Sequence, residues 1–231
     1  MKAVRIETFG GPETMVVREL PDPAVGPGLV KIAVRAAGVN FADVVMRMGL
    51  YPEAPRKPFV PGYEVAGTVS EVGAGVTRFR AGDRVMAGTR FGGYASVAIT
   101  TESKVVPMPD GLSFTDGAAI PVNYITAWVA IHSMGRVAKG EKALVHNAAG
   151  GVGLASVLLL GRVGCEIFGT AGSEEKLRFL AEHGVAHPIN YRTHDFAAEV
   201  NRITGGQGVD FIMDPIGGDT TKRGFRLLHQ P

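Results

Sequence analysis

From residue 143 onward the chain repeats one unit. Short apolar runs open at 143, 166, 186 and 209, so the intervals are 23, 20 and 23 residues. The runs at 143–146, 166–170, 186–189 and 209–213 read as strands, each followed by a helical pattern at 152–162, 174–183, 196–204 and 220–228. Strands that are apolar at almost every position, alternating with helices, specify a parallel sheet covered on both faces. The fold class is therefore α/β in this part. The 117–134 stretch before it reads as a buried helix pair broken near Pro121.

The first part of the chain follows different rules. Strand-like segments at 1–7, 14–19, 29–37, 65–72, 84–86 and 94–99 are separated by breakers such as Gly10-Gly11-Pro12 and Gly26-Pro27-Gly28. One helix is expected at 41–48, stopped by Gly49. This half reads as mostly β. Glycine supplies 32 of the 231 residues, with no repeat to absorb it, so tight turns and close backbone approaches are expected.

Composition excludes several roles. The 24 Lys+Arg nearly balance the 22 Asp+Glu, and no basic run stands out, which argues against a nucleic-acid partner. Cys165 is the only cysteine, so neither an internal disulfide nor a thiolate zinc cluster can form. The N-terminus lacks the apolar core of a signal peptide, and the uncharged stretches at 117–135 and 143–161 carry too many polar and glycine residues for membrane spans. A soluble, cytoplasmic protein without a transmembrane segment is expected.

The first strand of the repeat runs into Ala148-Ala149-Gly150-Gly151-Val152-Gly153 and then a helix. A small first residue permits the turn, Gly150 lets backbone approach a pyrophosphate, and Gly153 lets helix pack on strand. The helix N-terminus adds unpaired N–H groups and the positive end of its dipole. Such a loop after the first strand of regular βα units points to dinucleotide binding. The second strand ends Gly169-Thr170-Ala171-Gly172-Ser173, without the carboxylate that would hold a ribose 2′-hydroxyl, while Lys176 follows three residues after Ser173. That favours NADPH over NADH. Ser173 also suits a helix N-cap, and Lys176 a solvated surface.

The chain resembles the zinc-independent quinone oxidoreductases of the medium-chain dehydrogenase/reductase superfamily, most of all the vesicle amine transport protein-like branch. The matching stretches include Ala36-Ala37-Gly38-Val39-Asn40-Phe41-Ala42-Asp43, Pro61-Gly62-Tyr63-Glu64-Val65-Ala66-Gly67, Ala81-Gly82-Asp83-Arg84-Val85, the loop at 145–153, and Met213-Asp214-Pro215-Ile216-Gly217-Gly218. The resemblance implies a GroES-like β-barrel substrate/catalytic domain over 1–125. It implies a Rossmann NADP-binding domain, a doubly wound parallel sheet, over 126–231, with NADPH in the cleft between them. By position, Ala149, Gly150, Gly151 and Val152 would line the pyrophosphate, and Gly172, Ser173, Lys176 and Tyr191 the adenosine 2′-phosphate. Asn40 and Tyr51, the candidate catalytic residues, would face the nicotinamide end, with Thr126 beside it. Asn40 also fits a turn after a strand, and Tyr191 fits plain packing.

Where the family's zinc enzymes place a cysteine and a histidine, this chain has Asn40 and Tyr63, and its six histidines are scattered at 132, 146, 183, 187, 194 and 229. No metal site is expected. A hydride acceptor that delocalises its own charge, a quinone or an α,β-unsaturated carbonyl, is the substrate such a site implies. An NADPH-binding protein with a regulatory or membrane-associated role is the alternative. A complete sheet of this kind has six strands and only four are visible, so the Rossmann part is expected to be C-terminally incomplete. The strand at 209–213 is then an apolar edge that invites association between chains, a homodimer included.

Overall fold

The computed structural model describes residues 1–229. The chain divides into two compact units, Met1–Val122 and Asn123–Pro231.

The first unit is built on an antiparallel sheet. Strands β1 (Lys2–Ile6) and β2 (Met15–Glu19) form a hairpin. β3 (Leu29–Ala37), helix α1 (Phe41–Arg47), β4 (Glu64–Val72), β5 (Arg84–Gly88), β6 (Val97–Thr101) and β7 (Val105–Pro107) follow. The five later strands pair in the order β6-β3-β4-β5-β7. Register shifts at Lys31/Ile32 and Val34/Ala36 bend the β3–β4 pair, and single bridges Ala3↔Ala95 and Ile6↔Phe59 tie the hairpin to the same unit. The result is a curled sheet of the GroES-like kind that the family resemblance implies, in the half the strand-and-turn pattern reads as mostly β. Val30, Ile32, Val65, Val69 and Val85 alternate inward to form its core.

Two short helices, α2 (Phe114–Ala118) and α3 (Pro121–Trp128), succeed the sheet, and α3 runs into a wider π-helical turn at Val129–Met134. The helix pair expected at 117–134 thus starts earlier, where Ser113 caps α2 by accepting the Asp116 N–H.

The second unit alternates β8 (Lys142–Val145), α4 (Gly151–Val163), β9 (Glu166–Ala171), α5 (Glu174–Glu182), β10 (His187–Asn190), α6 (Phe196–Thr204), β11 (Phe211–Met213) and α7 (Asp219–Phe225). All four strands are parallel, in the order β10-β9-β8-β11. This is the 3-2-1-4 order of a Rossmann sheet, and the direction of winding reverses between β8 and β11. Ala143, Val145 and Ile167 face one core with Val157, Leu160 and Leu180, and Leu144 and Phe168 face another with Ile189, Phe196 and Val200. Burial on both faces is why these strands read as continuous apolar runs.

The strand expected at 209–213 is shorter. Val209 instead exchanges backbone hydrogen bonds with Leu227 and His229, at 2.8 Å each, so ladder pairing with β8 begins at Phe211. The segment expected at 94–99 also moves, to Val97–Thr101, because the Tyr94 N–H is taken by Pro61 O outside the ladder.

Candidate functional site

The C-terminal end of β8 lies beside the topological switch point between β8 and β11, where open parallel sheets bind ligands. After β8 the chain turns at Asn147, which adopts a left-handed φ of 49°. Its carbonyl accepts the Gly150 N–H at 2.9 Å. Gly150 is the N-cap of α4 and offers no side-chain cap, so the first N–H groups of a 13-residue helix are left for an anion. A Cβ at Gly153 would strike the Asn147 carbonyl and the Ala148 backbone, and one at Gly151 would stand 2.6 Å from Asn123 Oδ1. Both glycines therefore allow a close approach, of the α4 start to Asn147 and Ala148 and of Asn123 to the loop.

A second cluster forms at the end of β9. Ser173 caps α5 by accepting the Lys176 N–H at 3.4 Å, which sets Lys176 on the exposed first turn. Tyr191 follows β10, and its N–H is held by Ala171 O at 3.2 Å. A Cβ on Gly172 would sit 2.6 Å from Tyr191 Oη and 3.1 Å from Arg192 Nε. Gly172, Ser173, Lys176 and Tyr191 thus gather around one strand end. Arg192 joins them as a second cation, which the sequence reading missed by searching only the helix after Ser173. The two clusters are coupled: Ala148 N–H donates to Thr170 O at 3.0 Å, and His146 Nδ1 pairs with Thr170 Oγ1 at 3.1 Å. His146 is buried, and burial pushes its basicity down; Asp214 opposes that and Arg223 reinforces it. Its Nε2 has no hydrogen-bond partner. Thr126 is exposed on α3, the helix that also carries Asn123.

Asn40 and Tyr51 belong to the first unit. Asn40 is the N-cap of α1, and its backbone N–H donates to Asp43 Oδ2 at 2.9 Å, which is the turn after a strand that its sequence position fits. Its Nδ2 donates to Glu64 Oε1 at 2.9 Å, and the other oxygen of Glu64 accepts the Val122 N–H at 2.7 Å. Asp43 also accepts from Tyr94 Oη at 2.8 Å and the Gly62 N–H at 3.2 Å. Burial raises the Tyr94 hydroxyl well above the usual phenol range, and the Asp43 carboxylate adds to it. Tyr51 packs beside Ile6, Met46 and Phe59 and meets Tyr63 edge-on, ring centroids 6.3 Å apart. Burial, then the Tyr51 hydroxyl, raises the Tyr63 phenol as well. The two candidates therefore flank one short stretch, Tyr63-Glu64. Among the described residues no group of three or more His, Cys, Asp or Glu could hold a metal ion, and no helix is long and apolar enough to cross a membrane.

Residues 26–110 match the alcohol dehydrogenase GroES-like domain, and residues 151–230 match the zinc-binding dehydrogenase family. A quinone oxidoreductase of Rattus norvegicus is 36% identical over 230 residues, covering 99% of this chain and 70% of that protein. The chain belongs to the medium-chain dehydrogenase/reductase superfamily, in its quinone-oxidoreductase branch. The synaptic vesicle membrane protein VAT-1 homolog of Rattus norvegicus is 42% identical over 231 residues, covering 99% of this chain. The chain spans 57% of that relative's length. Among solved structures, Escherichia coli quinone oxidoreductase complexed with NADPH superposes with a TM-score of 0.93 at 32% identity, covering 100% of this chain and 71% of that one. Membership of this superfamily accounts for both halves of the architecture, the curled β unit and the parallel sheet.

Proposed function

We propose that this chain carries the NADPH-binding and acceptor-orienting parts of a zinc-independent reductase acting on quinones or α,β-unsaturated carbonyls. One observation carries the reading: the end of β9 gathers Ser173, Lys176, Tyr191 and Arg192 around Gly172, cations and hydroxyls where a ribose-binding carboxylate would otherwise stand. Such a set fits a phosphate on the adenosine ribose. The loop Ala149–Val152 fits the pyrophosphate, because the missing Cβ of Gly153 lets the helix start pack close against Asn147 and Ala148 and the uncapped helix start favours negative charge. The complex of the Escherichia coli relative with NADPH supports the same assignment.

The hydride would come from the bound NADPH. In a conjugated acceptor the charge that follows the hydride spreads to an oxygen, so a site without a Lewis acid needs mainly orientation and hydrogen bonding. Asn40 and Tyr51 supply polar groups for that task. Proton delivery is left to water at the half-exposed Asn40 edge.

Calorimetry with NADPH and NADH tests the assignment. The expected preference for NADPH is about 100-fold, since two charge-assisted hydrogen bonds to the 2′-phosphate each contribute about tenfold or more. Lys176→Ala should lose about tenfold of that preference while NADH binding stays unchanged. Equal affinities in the unaltered chain would overturn it. NADPH oxidation against a panel of quinones and enones then separates a catalyst from a silent binder.

A further inference from the structure

His146, one residue past β8, is 1% exposed and lies in the interior of the second unit. Its Nδ1 pairs with Thr170 Oγ1 at 3.1 Å, and the Phe196 ring meets it edge-on, centroids 4.7 Å apart. On the Nε2 side stands α7: a Cβ built on Gly224 would lie 4.0 Å from Nε2 and 3.5 Å from Ile212 Cδ1. No described residue offers Nε2 a hydrogen-bond partner. A neutral imidazole carries one N–H, and a buried N–H without an acceptor is rarer than a bare lone pair. The proton therefore belongs on Nδ1, donated to Thr170, and Nε2 meets α7 as a lone pair.

α7 itself is a short strap. The Thr221 hydroxyl donates to Asp214 Oδ2, and Asp214 Oδ1 accepts the N–H groups of Ile216 and Gly217 at 2.9 and 3.2 Å. Arg223 Nη2 donates to Asp195 Oδ1 at 2.6 Å, and its guanidinium lies 4.5 Å from the Phe196 ring centroid. Past the helix, Val209 grips the chain again through Leu227 and His229. The charges around His146 are those of Asp214 just past β11, Arg223 on α7 and Asp195 at the start of α6; β9 brings only the Thr170 hydroxyl. Both carboxylates are already engaged.

We propose that His146 is an acid-sensitive latch on α7. Neutral, its bare Nε2 admits Gly224 and the helix docks. When Nε2 takes a proton from solvent, an N–H and a positive charge stand against Gly224 beside Arg223, and no acceptor meets them. An unpaired buried charge is costly, whereas a half-exposed ion pair such as Arg223–Asp195 holds weakly, so the docked contact gives way first. α7 then swings out with the 214–218 turn, pivoting on β11 and on the Val209 pairing, and water reaches Nε2. The turn follows β11 at the switch point, so the latch sets whether that rim of the sheet is ordered. It operates in the bare chain, with or without a cofactor.

Burial pushes His146 below its ordinary 6.5, with Asp214 opposing and Arg223 reinforcing. The docked state binds fewer protons than the open one, so docking is complete above 6.5 and is lost as pH falls toward the docked value. Hydrogen exchange of the full chain, corrected for intrinsic rates, reads this. From neutral to about pH 5, protection of the 219–225 amides should fall by up to about tenfold per pH unit, while the amides of β8 and β9 keep theirs. His146→Phe should remove that dependence. Gly224→Ser brings a hydroxyl within reach of Nε2, able to accept its N–H, and should blunt the dependence; Gly224→Ala adds only a methyl and should retain it. The serine–alanine pair decides the matter should His146→Phe fail to fold. In the unaltered chain the His146 ring resonances should titrate with the same midpoint as α7 opening. Protection of 219–225 that ignores pH, or that falls equally in Gly224→Ser and Gly224→Ala, overturns the proposal. So does a His146 ring that titrates while α7 stays closed.

Discussion

The cluster at the end of β9 and the one around Asn40 are both polar, yet they are built in opposite ways. The first stands at the surface: Lys176, Tyr191 and Arg192 are exposed and lie within about twenty residues of Gly172. The second is sunk into a β core, with Asp43 and Glu64 buried and partners drawn from residues 40, 62, 94 and 122. A rim of exposed cations can be altered without disturbing the fold. A buried carboxyl that serves three donors cannot, because each donor it abandons is left without water.

The largest expected effect tests that contrast directly. Asp43→Ala strands the Tyr94 hydroxyl and the N–H groups of Asn40 and Gly62, and should lower stability by about 3 kcal/mol or more in urea unfolding. An unchanged midpoint would show that the Asn40 cluster is no more part of the core than the β9 rim is. His146 is the buried exception within the second unit. Its folded-state pKa lies below the ordinary 6.5, so the native state binds fewer protons than the unfolded chain. Its contribution is present in full above 6.5 and lost as pH falls through the lower folded value, with a slope of up to about 1.4 kcal/mol per pH unit. His146→Phe should flatten that part of the stability–pH curve.

Two smaller effects sharpen the comparison. Ser173→Ala removes the cap of α5 and should cost about 1 kcal/mol, and under the proposed function it should also weaken NADPH binding, measured in the same calorimeter. Arg192→Ala should change unfolding by less than about 0.5 kcal/mol and still reduce the preference for NADPH over NADH, measured side by side in the calorimeter. A stability loss comparable to that of Asp43→Ala would mean the β9 rim is structural after all.

How far the sequence alone could see follows the same division. The glycine turn into α4 was legible because it is contiguous, one strand end and one helix start. Strand 29–37 and helix 196–204 coincide with β3 and α6 because apolar periodicity and breakers agree there. The Asn40–Glu64 contact was not legible, since its partners are 24 residues apart and meet only through strand pairing. Even so, the Gly62-Tyr63-Glu64 stretch held the clue: an acid directly before the apolar run Val65-Ala66-Gly67. β7 escaped notice because three residues ending in proline carry no alternation to read. Arg192 escaped because it reaches Gly172 from the far side of the next strand.

The left-handed turn at Asn147 has a consequence for how such loops evolve. With the unusual backbone angle taken by an asparagine, residue 148 no longer has to be glycine, and its methyl is free to fill the interior. It does so opposite Gly169, where a Cβ would come within 3.2 Å of the Ala148 Cβ and 2.9 Å of Val185. The fingerprint's missing glycine has in effect migrated to the neighbouring strand. Positions 148 and 169 should therefore drift as a linked pair, small on one side whenever the other carries a methyl. A homologue with glycine at 148 and a smaller side chain at 185 has room for alanine at 169, and a motif search that scores position 148 alone counts as divergence what is a transfer of volume.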